Sequence, residues 1–309
     1  MWSEENKNLI LPEEVFAEGG PYWHLYTSGN ISEIIFRNDA ELNYGITNLA
    51  ICINEFEEIR IITDILMSNH IHQVLEGERA RCEEMFNLFK SRLKLCYSRR
   101  KQYINLSNFN CNLREIINVK SMCNTIAYVN RNGYVNSREY TPYSYPWGSG
   151  NLYFNKIIQD IKGIPFNNLK DIERRSICKS RSIKLPEKYC VNNDMILPIS
   201  YSSYKKGESF FRDANHYFYA ISKNVESYRE ISKELEDQIF LTDNELYAVV
   251  YNIALRQYKL SQPSLLPASA KIDIAKKMKF EYHASNGQIR RILKIEQHIV
   301  DGLFPPLTK

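Results

Sequence analysis

The chain has 309 residues, of which 44% are hydrophobic, 25% are charged and 12% are aromatic. These fractions exclude collagen-like, disulfide-scaffold and fully disordered chains, and the length suits two domains of roughly 100–200 residues each. The net charge of +4 is unevenly distributed, since residues 79–138 carry 12 Lys/Arg against 3 Asp/Glu and residues 251–309 carry 10 against 4. Either stretch could bind a polyanion, although a solvated helix face has the same composition.

The cysteines and the apolar runs bear on the cellular compartment. Seven cysteines, an odd number with no C-x-x-C spacing, indicate free thiols in a reducing compartment and not a zinc ribbon or a secreted framework. No apolar run approaches the roughly 18–20 residues that span a bilayer. The acidic start lacks the basic and apolar regions of a signal peptide. We expect a cytoplasmic protein without a membrane partner.

Strand and helix patterns alternate in the first half of the chain. The predicted elements are, in order, a strand over 22–28, a helix over 39–55, strands over 59–67 and 69–76, and helices over 79–98 and 112–132. A tight turn at Ser68-Asn69 joins the two middle strands, and Gly133 ends the last helix in the left-handed conformation that glycine favours. The β-α-β-β-α order predicts an α+β fold, a ferredoxin-like split βαβ palm whose antiparallel sheet has helices on one face.

A Pro-, Gly- and Tyr-rich segment over 141–150 marks the end of the first domain, which we place at 1–150. Residues 151–240 have a mixed helix and loop pattern and are predicted to connect two domains. A mainly helical tail follows over 241–309.

In the tail, Thr242 and Glu245 form a capping-box pattern that predicts the start of a helix. Residues 269–283 and 286–294 then have the pattern of two short helices joined by a turn, with Asn286 as the predicted cap. Such a pair occurs in helix-turn-helix domains and also in docking or dimerisation hairpins. The excess of positive charge in this part of the chain favours DNA binding.

His70 and His72 stand two residues apart in a predicted strand, so both imidazoles point to one face of the sheet. Two neutral imidazoles on one face supply half of a divalent metal site, which an oxygen ligand from elsewhere would complete. Paired surface histidines that bind no metal give the same spacing and are the more common case. The spacing by itself therefore leaves both interpretations open.

The predicted helix over 112–132 carries a narrow polar sector at steps of 100° per residue. The members of this sector are Arg114, Asn118, Ser121, Thr125, Tyr128 and Asn132. Tyr128 and Asn132 lie one turn apart, and a phenol nucleophile beside an amide oxygen would suit metal-assisted attack on a phosphodiester. An ordinary exposed tyrosine and a helix-terminal asparagine fit the same periodicity.

Four segments in order resemble motifs of the histidine-hydrophobic-histidine (HUH) single-tyrosine transposases. Ile65-Leu-Met-Ser-Asn-His-Ile-His72 resembles their LMPNHxH motif, and Tyr128-Val-Asn-Arg-Asn132 resembles their YIxxN helix. The strand YWHLYTSGN resembles their first strand, YHVTxRGN, and Tyr145-Pro-Trp-Gly-Ser149 resembles their YPWSS element. The match covers residues 22–150, about half of the chain, and is most similar to the insertion-sequence and REP-associated members.

This resemblance implies a ferredoxin-like catalytic domain and metal-dependent DNA transposition. By carry-over, His70 and His72 bind Mg²⁺ or Mn²⁺, Asn132 completes the protein ligands, and Tyr128 attacks the scissile phosphate. The attack leaves a 5′-phosphotyrosine and a free 3′-OH, and later attack by a DNA 3′-OH rejoins the strand without ATP.

Ser68 and Gly133 stand where the family has proline, and both keep the turn-forming or helix-ending character of the position, so we expect the geometry to survive. Members of the group work either as dimers that exchange the tyrosine helix or as monomers. A homodimer, and the use of Tyr128 within its own chain or in a partner, both stay open.

The implied substrate is single-stranded or hairpin DNA, which would place the protein at the nucleoid. Two groups of side chains are predicted to contact this DNA. The first group lies on or just after the helix over 79–98 and consists of Arg79, Arg81, Lys90, Arg92, Lys94, Arg99 and Arg100. The second group lies on the second tail helix and consists of Gln288, Arg290, Arg291 and Lys294.

Two other functions fit the same sequence. A domesticated, catalytically silent DNA-binding regulator would keep the fold and the tail without needing a metal. An RNA-processing nuclease on the same palm would cleave ribose substrates and form no covalent protein adduct. Metal binding and adduct formation therefore discriminate among the three.

Overall fold

The computed structural model describes residue 16 and residues 20–28, 34–135, 140–141, 144–180, 183–223, 241, 243–260 and 262–305. The described residues fall into two compact units, one up to residue 223 and the other from residue 241 onward. Within these ranges no helix is both long and apolar enough to cross a membrane.

A four-stranded antiparallel sheet forms the centre of the first unit. Its strands are β1 (Tyr22–Thr27), β2 (Arg60–Leu66), β3 (Ile71–Glu76) and β4 (Cys111–Glu115), in the spatial order β2-β3-β1-β4. Helix α1 (Asp39–Asn54) connects β1 to β2, and helix α2 (Arg79–Arg99) connects β3 to β4. This βαββαβ order, with antiparallel neighbours throughout, is the ferredoxin-like arrangement, so the predicted α+β fold class is confirmed.

The sheet is covered on both of its faces. Helices α1 and α2 pack on the face that presents Trp23, Leu25 and Leu75. Helix α3 (Val119–Val135) covers the opposite face, which we call the histidine face because it carries His24 and His72. The prediction of helices on one face therefore holds for α1 and α2 and is wrong for α3. The reason is visible in β1, whose side chains are buried almost without interruption, as in a strand that is covered on both faces.

The last predicted helix of the palm begins later than its sequence pattern indicated. The predicted helix over 112–132 loses its first residues to β4, where Arg114 pairs with His24 of β1. Helix α3 starts only at Val119, and the side chain of Asn118 accepts a hydrogen bond from the backbone N–H of Ser121 at 2.8 Å. In a strand of only five residues, the two-residue repeat of apolar and polar side chains cannot be distinguished from a helical repeat.

Gly133 does not end helix α3, which contradicts its predicted role. The helix continues to Val135, and the φ angle of Gly133 is not in the left-handed region. Instead, a Cβ atom at this position would lie 2.5 Å from Cγ of Tyr145 and 2.8 Å from Cδ1 of Ile65. Glycine is needed here because an aromatic ring packs directly on the helix backbone.

Residues 151–223 pack onto the palm, so the first unit continues past the predicted boundary at residue 150. Their elements are α4 (Lys156–Gln159), β5 (Ile164–Pro165), α5 (Asp171–Cys178), β6 (Cys190–Asn192), β7 (Met195–Ile196), α6 (Tyr204–Ser209) and α7 (Ala214–Lys223). Strands β5, β6 and β7 form a small antiparallel sheet, and α7 packs on α3. Phe166, Ile177 and Tyr189 join the core of α1 and α2, which burial of apolar area stabilises.

The second unit is helical in all its described regular elements. Its α-helices are α8 (Asp243–Tyr258), α9 (Ala268–Phe280), α10 (Asn286–Leu293) and α11 (Gln297–Leu303). Short 3₁₀ turns occur in both units, at Gly150–Leu152, Phe166–Asn168, Pro198–Ser200 and Pro263–Leu265. The helices surround a separate apolar core that includes Leu246, Ile274 and Leu293.

Helix α10 is capped by Ser285 and not by the predicted Asn286. The Ser285 backbone N–H donates to Oε1 of Gln288 at 3.0 Å, and the Gln288 N–H donates back to Oγ of Ser285 at 3.2 Å. Asn286 is the first helical residue, and its Nδ2 donates to Asp301 and to the carbonyl of Phe304, both at 2.8 Å. The other predicted capping residue of the tail, Thr242, lies outside the described residues.

Candidate functional site

The predicted nucleophile and one predicted metal ligand meet on the histidine face. His24 of β1 and His72 of β3 are diagonal neighbours in antiparallel strands, and their ring centroids are 5.4 Å apart. The ring of Tyr128, from α3, stands perpendicular to that of His72 at 5.5 Å and lies 6.0 Å from that of His24. Tyr128 therefore lies against histidines of its own chain.

His70 joins this group from the turn between β2 and β3. The turn closes with a hydrogen bond from Met67 N–H to the carbonyl of His70 at 2.9 Å, at the predicted Ser68-Asn69 position. The ring of His70 is perpendicular to that of His72, with centroids 5.1 Å apart. Both predicted histidine ligands consequently lie side by side.

Hydrogen bonds orient both imidazoles through Nδ1. Oδ1 of Asn69 lies 2.7 Å from Nδ1 of His70, and since an amide oxygen only accepts, this nitrogen carries the proton. Nδ1 of His72 lies 3.3 Å from Nε2 of His24, so a proton is shared between these two rings. With that proton on His72, Nε2 of both His70 and His72 carries the lone pair, which is the form that binds a metal.

His24 is a site residue that the sequence analysis missed. It is 1% exposed and is the third residue of β1, between Trp23 and Leu25, which point to the other face. Strand alternation alone places it on the face of His72 once the two strands pair. The signal in the sequence was therefore the spacing of His24 and Tyr26, two residues apart in the first strand. This spacing identifies a site residue only if β1 lies inside the sheet and next to β3.

Asn132 lies one helical turn after Tyr128 on α3, as the periodicity predicted. Its side chain is half-buried, and its amide nitrogen is buried without a hydrogen-bond partner among the described residues. Asn130, two residues before Asn132, has a structural role. Its Nδ2 donates to the hydroxyl of Tyr217 at 2.9 Å, and its Oδ1 accepts from the hydroxyl of Thr63. These bonds join α3 to β2 and α7 and thereby fix the position of Tyr128.

The site is closed to solvent. Tyr128 is 2% exposed, His70 6% and His72 0%. Among the described residues, no group of three or more His, Cys, Asp or Glu side chains is arranged to hold a metal ion. The donors that the structure brings together here are the imidazole nitrogens of His70 and His72, and the resemblance adds the amide oxygen of Asn132. Further oxygen ligands would come from water or from a phosphate.

The basic residues of α2 do not lie beside the site. Helix α2 packs on the face opposite the histidine face, so these residues do not lie next to Tyr128, and their contact with DNA stays a prediction. Most of them interact with neighbouring side chains or backbone: Arg79 with Glu83 at 3.2 Å, Arg81 with Glu58 at 2.6 Å and with Glu84, Lys90 with Asn110 at 2.7 Å, Arg92 with Asn48 at 2.7 Å, and Arg99 with the Lys179 carbonyl at 3.3 Å. Lys94 and Arg100 are exposed on that side. Arg114, by contrast, is an exposed cation on the histidine face, directly opposite His24.

Two of the four side chains predicted to contact DNA from the second tail helix, α10, form hydrogen bonds within the second unit instead. Gln288 belongs to the capping box and also donates to the Leu241 carbonyl at 2.8 Å. The guanidinium of Arg291 forms two bonds to Asp243, at 2.6 and 3.0 Å, and this carboxylate raises the pKa of the arginine. Arg290 and Lys294 are exposed and remain the candidates for DNA contact.

A buried carboxyl lies on β2, away from the histidines. Oδ2 of Asp64 accepts a hydrogen bond from the hydroxyl of Tyr201 at 2.9 Å, and the backbone N–H of Asp64 donates to Oγ of Ser149 at 3.0 Å. Burial raises the pKa of Asp64 to about 6, against the hydrogen bonds from Ser149 and Tyr201, which lower it. This carboxyl therefore titrates at mildly acidic pH within the fold.

Comparisons with protein-family models, with curated proteins and with solved structures found no match to this chain. The function is therefore inferred from the site and from the motif resemblance.

Proposed function

We propose that the protein is a metal-dependent DNA transposase that cleaves and rejoins single-stranded, hairpin-associated DNA through a 5′-phosphotyrosine intermediate. The observation that supports this most directly is the packing of Tyr128 against His72, with His70 beside it, on one face of a ferredoxin-like palm. These residues come from a helix, a strand and a turn. Their juxtaposition matches the set that the motif resemblance implies.

In the proposed reaction the phenol oxygen of Tyr128 attacks the phosphorus of the scissile phosphodiester. The bond from phosphorus to the tyrosine oxygen forms while the bond to the 3′-oxygen breaks, and the proton lost by the phenol ends on that 3′-oxygen. A later attack by a DNA 3′-OH reverses the same steps, so one phosphodiester replaces another without ATP. A divalent ion held by His70, His72 and Asn132 would supply Lewis-acid polarisation of the phosphate.

Within this site, we assign His24 as a positioning residue. Nε2 of His24 lies 3.3 Å from Nδ1 of His72. When the shared proton is on His72, His24 accepts it and Nε2 of His72 is the lone-pair donor. Removal of such an outer partner typically costs about 10- to 100-fold in metal affinity. We expect His24→Ala to weaken Mn²⁺ binding within that range and His24→Gln, which retains an acceptor, to restore part of it, as measured by calorimetry.

Covalent trapping tests the proposed function. Labelled hairpin oligonucleotides from the flanks of the gene are mixed with the protein and Mn²⁺, and the products are separated on a denaturing gel. We expect a band at protein-plus-DNA mass that disappears with EDTA and in Tyr128→Phe. The matched control is Tyr26→Phe, which removes a second phenol from the histidine face, 6.4 Å from His72 between ring centroids, and should leave the band intact. DNA binding without any covalent band would refute the proposal.

The burial of the site favours one second candidate, the catalytically silent DNA-binding regulator. A phosphodiester reaches a tyrosine that is 2% exposed only after a local opening, and a regulator needs no such opening. For the transposase we expect Mn²⁺ to raise the melting temperature, because an ion that binds the folded state stabilises it. For the regulator, Mn²⁺ leaves the melting temperature unchanged and native-gel DNA complexes form without an adduct.

A further inference from the structure

A small pocket of about 60 Å³ lies in the first unit, on the side of the sheet that α1 and α2 cover. Its walls come from these two helices and from the residues that follow α5. The residues of the proposed reaction do not line it. Its chemistry therefore needs an explanation of its own.

Three cationic residues line this pocket, which we call the basic pocket. Arg92 and Arg99 belong to α2, and Lys179 follows the last residue of α5. Tyr44 and Ser180, which carry hydroxyl groups, line it as well, and its described lining includes no Asp or Glu. Guanidinium, ammonium and hydroxyl groups all donate hydrogen bonds, so the lining suits an anion.

The charged ends of the three cationic side chains converge near the end of α5. Nη1 of Arg99 donates to the Lys179 carbonyl at 3.3 Å. Burial raises the pKa of the Cys178 thiol to about 11, and the positive charges of Arg92 and Lys179 both act on this thiol in the opposite direction. The guanidinium of Arg92 and the ammonium of Lys179 therefore lie near one sulfur atom, next to the carbonyl that Arg99 contacts.

Among the described residues, no carboxylate pairs with these cations. Nε of Arg92 donates to the neutral Oδ1 of Asn48 at 2.7 Å, which leaves other N–H groups of the guanidinium for a ligand. Partial burial lowers the pKa of Lys179, and the positive charge of Arg100 lowers it further, whereas Asp194 acts in the opposite direction without forming an ion pair. An anion in the basic pocket would stabilise the charged form of this lysine.

The helix ends beside the basic pocket account for only part of its positive charge. Arg99 is the last residue of α2, and Lys179 follows the last residue of α5. The C-terminal end of a helix carries about half a negative charge, so the two ends together offset about one of the three positive charges. About two positive charges remain, which matches a dianion better than a phosphodiester with its single negative charge.

The volume of the basic pocket sets the size of the anion. One ordered water needs roughly 10–15 Å³ of cavity, so about 60 Å³ holds roughly four to six atoms other than hydrogen. A phosphate consists of one phosphorus and four oxygen atoms and therefore fits this space. A larger group attached to the phosphate would have to extend out of the pocket.

We propose that the basic pocket binds a phosphate dianion, either inorganic phosphate or the terminal phosphate of a small molecule. Arg92, Arg99 and Lys179 donate charge-assisted hydrogen bonds to its oxygen atoms. The bound phosphate thereby links the end of α2 to the end of α5. This site lies on the side of the sheet away from Tyr128 and does not depend on the proposed function.

Calorimetric titration of the full chain in EDTA, at about pH 8, tests the proposal with three probes. We expect saturable binding of inorganic phosphate or of phenyl phosphate, which are both dianions at this pH. Dimethyl phosphate, a diester with a single negative charge, should bind at least tenfold more weakly. Phosphate should also raise the melting temperature, because a ligand that binds the folded state stabilises it.

Two variants test the residues of the basic pocket. Arg99→Gln and Lys179→Gln each remove one charged donor and should weaken phosphate binding at least tenfold. The matched control is Lys188→Gln, which removes the same charge from an exposed position outside the lining and should leave the affinity unchanged.

The probes also identify the source of the phosphate. Phenyl phosphate that binds at least as tightly as inorganic phosphate supports a phosphorylated small molecule, and binding of inorganic phosphate alone supports the free ion. The proposal is overturned if no dianion binds saturably, if dimethyl phosphate binds as tightly as the dianions, or if both pocket variants bind like the control. Competition with phosphate by an oligonucleotide that lacks terminal phosphates would assign the pocket to the DNA backbone and would also overturn it.

Failure of this inference is distinguishable from failure of the proposed function. Phosphate binding is measured without metal or DNA, whereas the covalent band requires both. Phosphate binding without any covalent band would refute the transposase alone. A covalent band without phosphate binding would refute the pocket assignment alone.

Discussion

Substitution of Gly133 tests the packing that places Tyr128. In Gly133→Ala the new Cβ would lie 2.5 Å from Cγ of Tyr145, which is closer than real Cβ atoms come to ring carbons. The ring cannot easily retreat, because its hydroxyl donates to the Leu66 carbonyl at 2.8 Å and Trp147 packs on it at 5.4 Å between centroids. Either α3 or the segment that carries Tyr145 must therefore shift.

Two opposing free-energy terms set the size of the effect. Overpacking of a filled site costs about 1–3 kcal/mol. Alanine in a helix interior is favoured over glycine by about 1 kcal/mol. The net expectation is a loss of about 0–2 kcal/mol in the free energy of unfolding, or roughly 2–4 °C in melting temperature for each kcal/mol lost. In a Tyr145→Ala background the ring is gone, so Gly133→Ala should stabilise the protein by up to about 1 kcal/mol.

Urea denaturation of the wild type, both single variants and the double variant measures this reversal of sign. The other close side chain is that of Ile65, whose Cδ1 is a flexible end and can move aside in either background. If Gly133→Ala destabilises both backgrounds equally, the backbone conformation and not the ring requires glycine. If it stabilises the wild type, the packing of Tyr145 on α3 is wrong.

Three further predictions concern the buried carboxyl and the second unit. Since the pKa of Asp64 in the folded protein is about 6, above its ordinary value of 3.8, the folded state holds the proton more tightly. As pH rises from 4 to 7, the stability of the wild type relative to Asp64→Asn should thus fall by about 2 kcal/mol, as measured by urea denaturation. A difference in unfolding free energy that is the same at each pH would contradict this. Arg290→Ala and Lys294→Ala should weaken DNA binding at all sequences and reduce the salt slope by about one each, as measured by fluorescence anisotropy, whereas Arg291→Ala should chiefly lower the melting temperature. Ser285→Ala should cost about 1 kcal/mol through loss of the α10 cap, and an unchanged unfolding midpoint would contradict the capping assignment.

The local patterns of the sequence determined the first five elements of the palm, in the order β-α-β-β-α, and the direction of several side chains. Strand alternation predicted His70 and His72 on one face, and their rings do lie together, although His70 belongs to the turn before β3. Helical periodicity put Tyr128 and Asn132 one turn apart. The Ser68-Asn69 turn followed from the chemistry of short hairpin connections. These features depend on residues close together in the chain, so one sequence is enough to predict them.

Only the tertiary structure decided which surfaces meet. It placed α3 on the face opposite α1 and α2, turned the residues before it into β4, and put the basic helix α2 on the side away from Tyr128. The contact of His24 with His72 and the packing of Tyr145 on Gly133 join residues 48 and 12 positions apart. Such pairings depend on which apolar faces are buried together across the whole unit, and local periodicity contains no information about that choice.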